Sequence, residues 1–520
     1  MAFDAKVLAA VRAAFPRAGA AAVPIGAPVH DGQCHAEPLI GIPLAMMNRH
    51  GLVAGATGTG KTKTLQLLTE GLSAAGVPVF VADIKGDVSG LAAPGQPGGR
   101  VDARAKETGV AWHAAGFPIE LLSLSGKLGA HLRATVSAFG PLALAKVMGL
   151  NDTQAGVLAL VFKFCDDRQL PLLDFKDLRA VLTHLADAPS EVQRDYGGVS
   201  KASVGVLLRE MVQLEQLGAA ALFGEPELEV ADLMERAPDG RGRISVLELS
   251  DVQDRPALFS TFMMWMLAEL YHQLPEVGDL DKPKLVFFFD EAHLLFQDAS
   301  KAFLAEVEQV VRLVRSKGVG IFFVTQSPKD VPPTILAQLG NRVQHALRAF
   351  TPDDEKALRA ASRTFPKTSF YDVPQTLTTL GIGEALVSVL GESGVPSSPF
   401  VARVIPPSSR MGPLTPEEMA PLLQTEQARR YATTVDRQSA YEILDERFAA
   451  GSANDNARPE APHEKPAAPA KPAAARRTES AWHEALHSPV ARSIANQVTR
   501  GLMGALLGPP PRRRRTRSAW

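Results

Sequence analysis

The chain has 520 residues, enough for about three domains at ~100–200 residues each. Apolar residues make up 46% and charged residues 21%, which excludes a wholly disordered chain. With 55 Lys and Arg against 56 Asp and Glu the net charge is −1, which excludes a polycation built as a whole for nucleic acid.

At the amino end, Asp4, Lys6 and Arg12 interrupt the apolar residues, so no signal core is expected there. The two cysteines, Cys34 and Cys165, stand far apart in no metal-ligand spacing; this excludes a disulfide framework and points to a reducing, cytoplasmic setting. Short, nearly continuous apolar runs follow at 77–82, 243–249, 284–290 and 319–325, separated by helical patterns at Lys61–Ala75, Pro256–Gln273 and Ala302–Ser316. Continuous rather than alternating hydrophobicity predicts strands covered on both faces, and strand–helix alternation predicts an α/β, doubly wound, mostly parallel sheet with helices on both faces. Between 127 and 240 the strand pattern is absent, and helices are expected at Pro141–Met148, Thr153–Cys165, Asp174–Leu185 and Ser200–Leu217, with Asp174 and Asp177 marking a helix start. This stretch reads as a helical subdomain inserted into a core made of residues 1–126 and 241–450. Residues 451–480, rich in Ala and Pro, read as a linker to a tail at 481–520. The last seventy residues carry twelve Lys and Arg against five Asp and Glu. In the tail Val490, Ile494, Val498, Leu502 and Leu506 form an apolar stripe ahead of Arg512–Arg517. A helix docking on a protein or an anionic membrane surface, a helix packing back on its own assembly, and a DNA-binding basic end all fit that tail.

The chemistry concentrates in three places. Gly55-Ala56-Thr57-Gly58-Thr59-Gly60-Lys61-Thr62 follows an apolar stretch and opens a helix, matching a phosphate-binding loop at every required position. Its glycines let successive N–H groups face phosphate oxygens at a positive helix end. Lys61 would reach the β- and γ-phosphates and the Thr62 hydroxyl would ligate Mg²⁺, so residues 55–62 with Lys63 form the nucleotide-binding set. Asp290 and Glu291 end the apolar run Leu285–Phe289: Asp290 is the expected Mg²⁺ residue and Glu291 the group that polarises the attacking water, with a helix cap as the competing role. Gln326 ends the next run and can bond both the γ-phosphate and that water, unless it is only a turn residue before Ser327-Pro328. Because ligands of open α/β sheets bind at the carboxyl ends of strands, the three should converge. No Asn-Lys-x-Asp segment is present, which favours ATP over GTP.

Together, GATGTGKT, VFVADIKGDVSG, FFFDEAHLLF, RSKGVGIFFVTQSPKDVP and LGNRVQHALRAFTPDDEKALRAA resemble the HerA-like ATPases of the HerA–FtsK superfamily, over about residues 20–405. The resemblance implies a RecA-like fold, assembly into homohexamers, ATP-driven movement along DNA, and an arginine finger given to the neighbouring subunit; no helix-turn-helix or zinc-finger pattern appears, so DNA is expected to be bound without sequence preference. Arg342 is the first candidate for that finger, ahead of Arg348, Arg312 and Arg315. The archetypal members begin with a small β-barrel, for which the roughly fifty residues before Gly55 leave too little chain. Lys85 and Lys329 are candidate phosphate contacts on loops, although solvated lysines there would look the same. The expected activity is Mg²⁺-dependent ATP hydrolysis by a DNA translocase or helicase; the alternatives are an ATP-driven switch acting on a protein partner and a membrane-associated scaffold.

Overall fold

The computed structural model describes residues 4–15, 22–188, 193, 195–297, 299, 301–391 and 394–447. The linker at 451–480 and the tail with its apolar stripe and arginines lie outside the described residues. Thirteen strands are present among the described residues: β1 (Ala22–His30), β2 (Gln33–Cys34), β3 (Ile40–Pro43), β4 (Gly51–Ala54), β5 (Val79–Asp83), β6 (Ile119–Ser123), β7 (Ala130–His131), β8 (Ile244–Glu248), β9 (Leu285–Phe289), β10 (Val319–Thr325), β11 (Asn341–His345), β12 (Glu384–Ser388) and β13 (Phe400–Val404). They form one sheet in the order β2-β1-β13-β12-β11-β4-β10-β9-β5-β8-β6-β7, with β3 on β1. The stretch from β11 to β7 is parallel, whereas β12, β13 and β1 continue it antiparallel.

Every residue of β4, β5, β6, β8, β9 and β10 is buried, as a sheet layered on both faces requires. Side chains alternate between two cores. Phe80, Phe287, Phe289 and Phe323 face one, and Val79, Val81, Phe288 and Phe322 the other. The second core is closed by the helices Ala5–Ala14 and Lys61–Ala74, through Val7, Val11, Leu65, Leu68 and Leu72. The first is closed by helix Pro256–Gln273 and, among the described residues between β7 and β8, by helices Val136–Val147, Asp152–Arg168, Phe175–Asp187 and Lys201–Gln216. Leu158, Leu178, Leu182, Leu207 and Met211 from these helices join the same cluster as Phe287 and Trp265. The described residues accordingly form one compact unit.

Local chemistry sets the helix ends. Asp174 caps Phe175–Asp187 reciprocally with Asp177, and Asn151 caps Asp152–Arg168 reciprocally with Gln154. Helix Val136–Val147 is broken at Gly140 (φ +74°) ahead of Pro141, so it starts five residues earlier than apolar periodicity alone indicates. The fifty residues before the phosphate loop contribute β1–β3, which widen the main sheet through β13. Two residues of the region read as purely helical, Ala130 and His131, form a short strand on β6.

β4 is where the connections change direction, since its neighbours β11 and β10 come from far later in the chain. The crevice outside its carboxyl end is the ligand position of such a sheet.

Candidate nucleotide-binding site

The loop after β4 is held on both sides. Gly55 N–H donates to the Thr325 carbonyl of β10 (3.2 Å), and Ala56 N–H to the Ala346 carbonyl beyond β11 (2.8 Å). A Cβ at Gly55 would lie 2.5 Å from His345 Cβ and 2.9 Å from Thr59 Oγ1, so only glycine fits there. Gly60 takes a left-handed conformation (φ +116°) to start helix Lys61–Ala74, and Gly58 does the same at the exposed tip (φ +77°). Lys61 is buried and its Nζ donates to the Ala56 carbonyl (3.2 Å); burial, only partly opposed by Glu291, lowers its pKa. Thr62 and Lys63 sit in the first helical turn, and Lys63 Nζ donates to Gln66 Oε1 (3.4 Å).

Asp290 and Glu291 follow β9 directly. Asp290 is 2% exposed; Glu291 N–H donates to its Oδ1 (2.9 Å), while its Oδ2 is buried with no hydrogen-bond partner. Burial first, then the charges of Glu291 and Asp83, push the Asp290 carboxyl up to about 7. Glu291 stands at φ +46°, uncommon for a side chain of its size. Its Oε1 accepts from Lys85 Nζ, and Oε2 lies 3.2 Å from His293 Nδ1. Burial opposes its ionisation, but the Lys85 hydrogen bond and charge outweigh that and hold its pKa below the usual value.

Two further carboxylates, Asp83 and Asp87, gather beside Asp290, and Glu248 lies in register with Asp83; all three were missed from the sequence. Asp83 and Glu248 terminate β5 and β8, and Asp87 lies on the loop after β5. Asp83, Asp87 and Asp290 each offer an oxygen within 4.8 Å of the others. Glu248 Oε1 and Asp87 Oδ1 are buried without hydrogen-bond partners. Burial and neighbouring carboxylates push Glu248 up to about 8. The signal was present in the run VFVAD, which ends on an acid as the run before Glu291 does. An orphaned Asp290 oxygen beside Asp83 and Asp87 fits a divalent cation.

Gln326 follows β10 and is exposed, lining a cleft of about 690 Å³ with Ala56, Thr57, His293, Lys329 and Arg348. The loop behind it is closed by Asp330, whose Oδ2 accepts from Thr325 Oγ1 (2.8 Å) and Ser327 N–H (2.9 Å). The phosphate loop, the acidic pair and Gln326 thus meet at one mouth of the sheet. Arg342 does not join them. It pairs in register with Leu52, two residues back from that mouth, and its guanidinium donates to the carbonyls of Leu336 (3.2 Å) and Leu339 (3.4 Å). Arg348 borders the cleft, whereas Arg312 and Arg315 are exposed at the end of the helix beginning at Lys301.

Two supports of the loop also escaped the sequence reading. His345 is fully buried, and burial lowers its pKa to about 4. Its Nδ1 must donate to the Glu384 carbonyl (2.8 Å), so Nε2 accepts from Thr64 Oγ1 (2.8 Å) as the neutral ring requires. Glu70, in helix Lys61–Ala74, accepts from Ser408 N–H, Ser409 N–H and Ser409 Oγ, tying a late segment of chain across that helix.

A family model described as "Helicase HerA-like C-terminal" matches residues 30–515. The chain belongs to the HerA-like helicase family. Among its relatives, "Probable helicase MJECL08" of Methanocaldococcus jannaschii is 30% identical over 155 residues, 28% of each chain. The "DNA double-strand break repair helicase HerA" of Sulfurisphaera tokodaii is 27% identical over 150 residues, 28% of this chain and 29% of that one. The matched part is thus under a third of either relative's length. Among solved structures, plasmid coupling protein TrwB in complex with ADP and Mg²⁺ aligns over 82% of this chain and 99% of its own at 16% identity and TM-score 0.47. VirB4 of Thermoanaerobacter pseudethanolicus aligns over 78% and 99% at 14% identity and TM-score 0.44. The sheet itself is RecA-like in build: β10 lies between the phosphate-loop strand and the strand carrying the acidic pair.

Proposed function

We propose that this HerA-like chain hydrolyses ATP with Mg²⁺ and acts in the cytoplasm as a homohexameric motor that moves along DNA without reading its sequence. The observation that carries the reading is the meeting of Lys61, Glu291 and Gln326 at the carboxyl ends of β4, β9 and β10, next to the unpartnered Asp290 oxygen. Lys61 turns from the Ala56 carbonyl to the β- and γ-phosphates. Glu291 accepts a proton from, or aligns, the water that attacks the γ-phosphorus, and Gln326 bonds that water and the γ-phosphate. Thr62 and Asp290 would hold the Mg²⁺, which would neutralise charge on the phosphates. Arg342 serves a neighbouring subunit as finger only by giving up its two carbonyl partners; Arg348 already faces a nucleotide cleft.

DNA is supported by the names of the curated relatives and by exposed Lys85 and Lys329 beside the site. Steady-state ATPase assays with and without single- and double-stranded DNA test the reading, alongside particle imaging. Hydrolysis stimulated by DNA, with the stimulation lost as salt rises, is expected. An ATPase indifferent to both DNAs overturns the motor and leaves a switch acting on protein.

A further inference from the structure

We infer that Lys85 is a positioning residue that holds Glu291 out of the reaction until a phosphodiester backbone draws the lysine away. The inference rests on the DNA-motor reading for its release step, not for the restraint itself.

The ion pair between them is lopsided. The Lys85 side chain is 48% exposed and the Glu291 side chain 6%, so a polymer arriving from solvent reaches the ammonium and not the carboxylate. The rest of the assembly is anchored. Asp83 Oδ1 accepts from Lys85 N–H (3.1 Å) and Gly86 N–H (2.9 Å), and Oδ2 accepts from Val88 N–H (2.8 Å). Gln253 Nε2 fixes the same loop by donating to the Ile84 carbonyl (2.5 Å). On the other side Asp290 N–H donates to the Ala82 carbonyl (3.2 Å) and Ala292 N–H to that of Val324 (2.9 Å), clamping the backbone around Glu291. The movable part is therefore the four-carbon stem of Lys85.

A carboxylate oxygen engaged by an ammonium is aimed at that cation and is a weaker acceptor for the proton of water. Lys85 takes Oε1, and Oε2 is buried 3.2 Å from His293 Nδ1 with no hydrogen-bond partner, so Oε1 is the oxygen whose release would open Glu291 to a water. Lys61, the other cation near Glu291, is committed to the Ala56 carbonyl. Phosphate oxygens compete for an ammonium with the same charge-assisted hydrogen bond. Nucleic acid bound at the loop after β5 would thus trade Lys85 from Glu291 to phosphate and free the base.

The test compares full-length wild type with Lys85→Ala, Lys85→Arg, Lys85→Gln and the double variant Lys85→Ala/Glu291→Gln. Turnover is measured with and without double-stranded DNA, together with the affinity for a fluorescent ATP analogue and the melting temperature. Removing the cation should raise the DNA-free rate about three- to tenfold and bring the DNA stimulation close to unity, the size of effect one charge-assisted bond can exert. Lys85→Arg should keep wild-type behaviour, Lys85→Gln should follow Lys85→Ala, and the double variant should show no rise, since the gain must pass through Glu291. A DNA-free rate in Lys85→Ala and Lys85→Gln at or below wild type, with ATP affinity and melting temperature unchanged, overturns the restraint. If DNA leaves wild type unaffected while Lys85→Ala is still faster, the restraint stands and DNA as its release fails. If DNA accelerates wild type and Lys85→Ala by the same factor, release through Lys85 fails and the DNA reading stands, with the restraint judged by the DNA-free rates.

Discussion

Lys61 lies folded over its own loop, spending its ammonium on the Ala56 carbonyl, and ATP must win it from that bond. Lys61→Ala removes a charged partner of the phosphates, so affinity for a fluorescent ATP analogue should fall by about ten- to a hundredfold and turnover should disappear. Glu291→Gln keeps that affinity while lowering turnover by about a hundredfold, because the amide cannot accept the proton. Glu248 gives a pH-dependent expectation of a different kind. Its folded pKa of about 8 lies above the ordinary 4.5, so the folded state binds the extra proton across that window and stability falls as pH rises through it. Glu248→Gln should therefore melt at a higher temperature than wild type, by a margin that widens from pH 5 to pH 8.5. These residues were unequally legible in the sequence. Gly55, Lys61 and Asp290 declare themselves because phosphate chemistry demands those residue types at fixed spacing. Glu248 and His345 do not, since what each does depends on groups brought alongside by other strands.

Helix and strand identities follow the same division. The runs that became β5, β8, β9 and β10 are visible because burial on both faces demands unbroken apolar residues. β11, Asn-Arg-Val-Gln-His, is hidden because its polar side chains find partners only in the fold, carbonyls for two of the Arg342 nitrogens and Thr64 for His345. β1–β3, β12 and β13 stay hidden because they pair antiparallel outside the central alternation of strand and helix. The start of helix Phe175–Asp187, by contrast, can be read from Asp174 and Asp177 alone. Asp174→Ala should lower stability by about 1 kcal/mol in chemical denaturation while leaving ATP turnover unchanged, since its carboxylate accepts from Lys176 and Asp177 N–H at the start of its own helix. Glu70 makes the opposite case: its three donors come from residues more than three hundred positions later, and no local pattern announces them.

At the scale of the molecule, the inserted helices and the central strands share one apolar cluster, so the insertion has no boundary in packing to match its boundary in sequence. A finger supplied between subunits is tested at this scale as well. Mixing Arg342→Ala subunits with wild type should depress ATPase activity out of proportion to their fraction if each ring needs every finger, whereas simple dilution returns the role to Arg348. The rims of the sheet bear on how such rings can be built. At one rim β2, two residues, and β3, four residues, both pair with β1, and the other rim ends on β7, two residues. Strands this short give a neighbouring copy almost no ladder to extend, which is how natural sheets prevent uncontrolled lateral growth. Copies that associate must meet through side chains and loops, contacts that can loosen and re-form with each turnover where a shared ladder would fix them permanently.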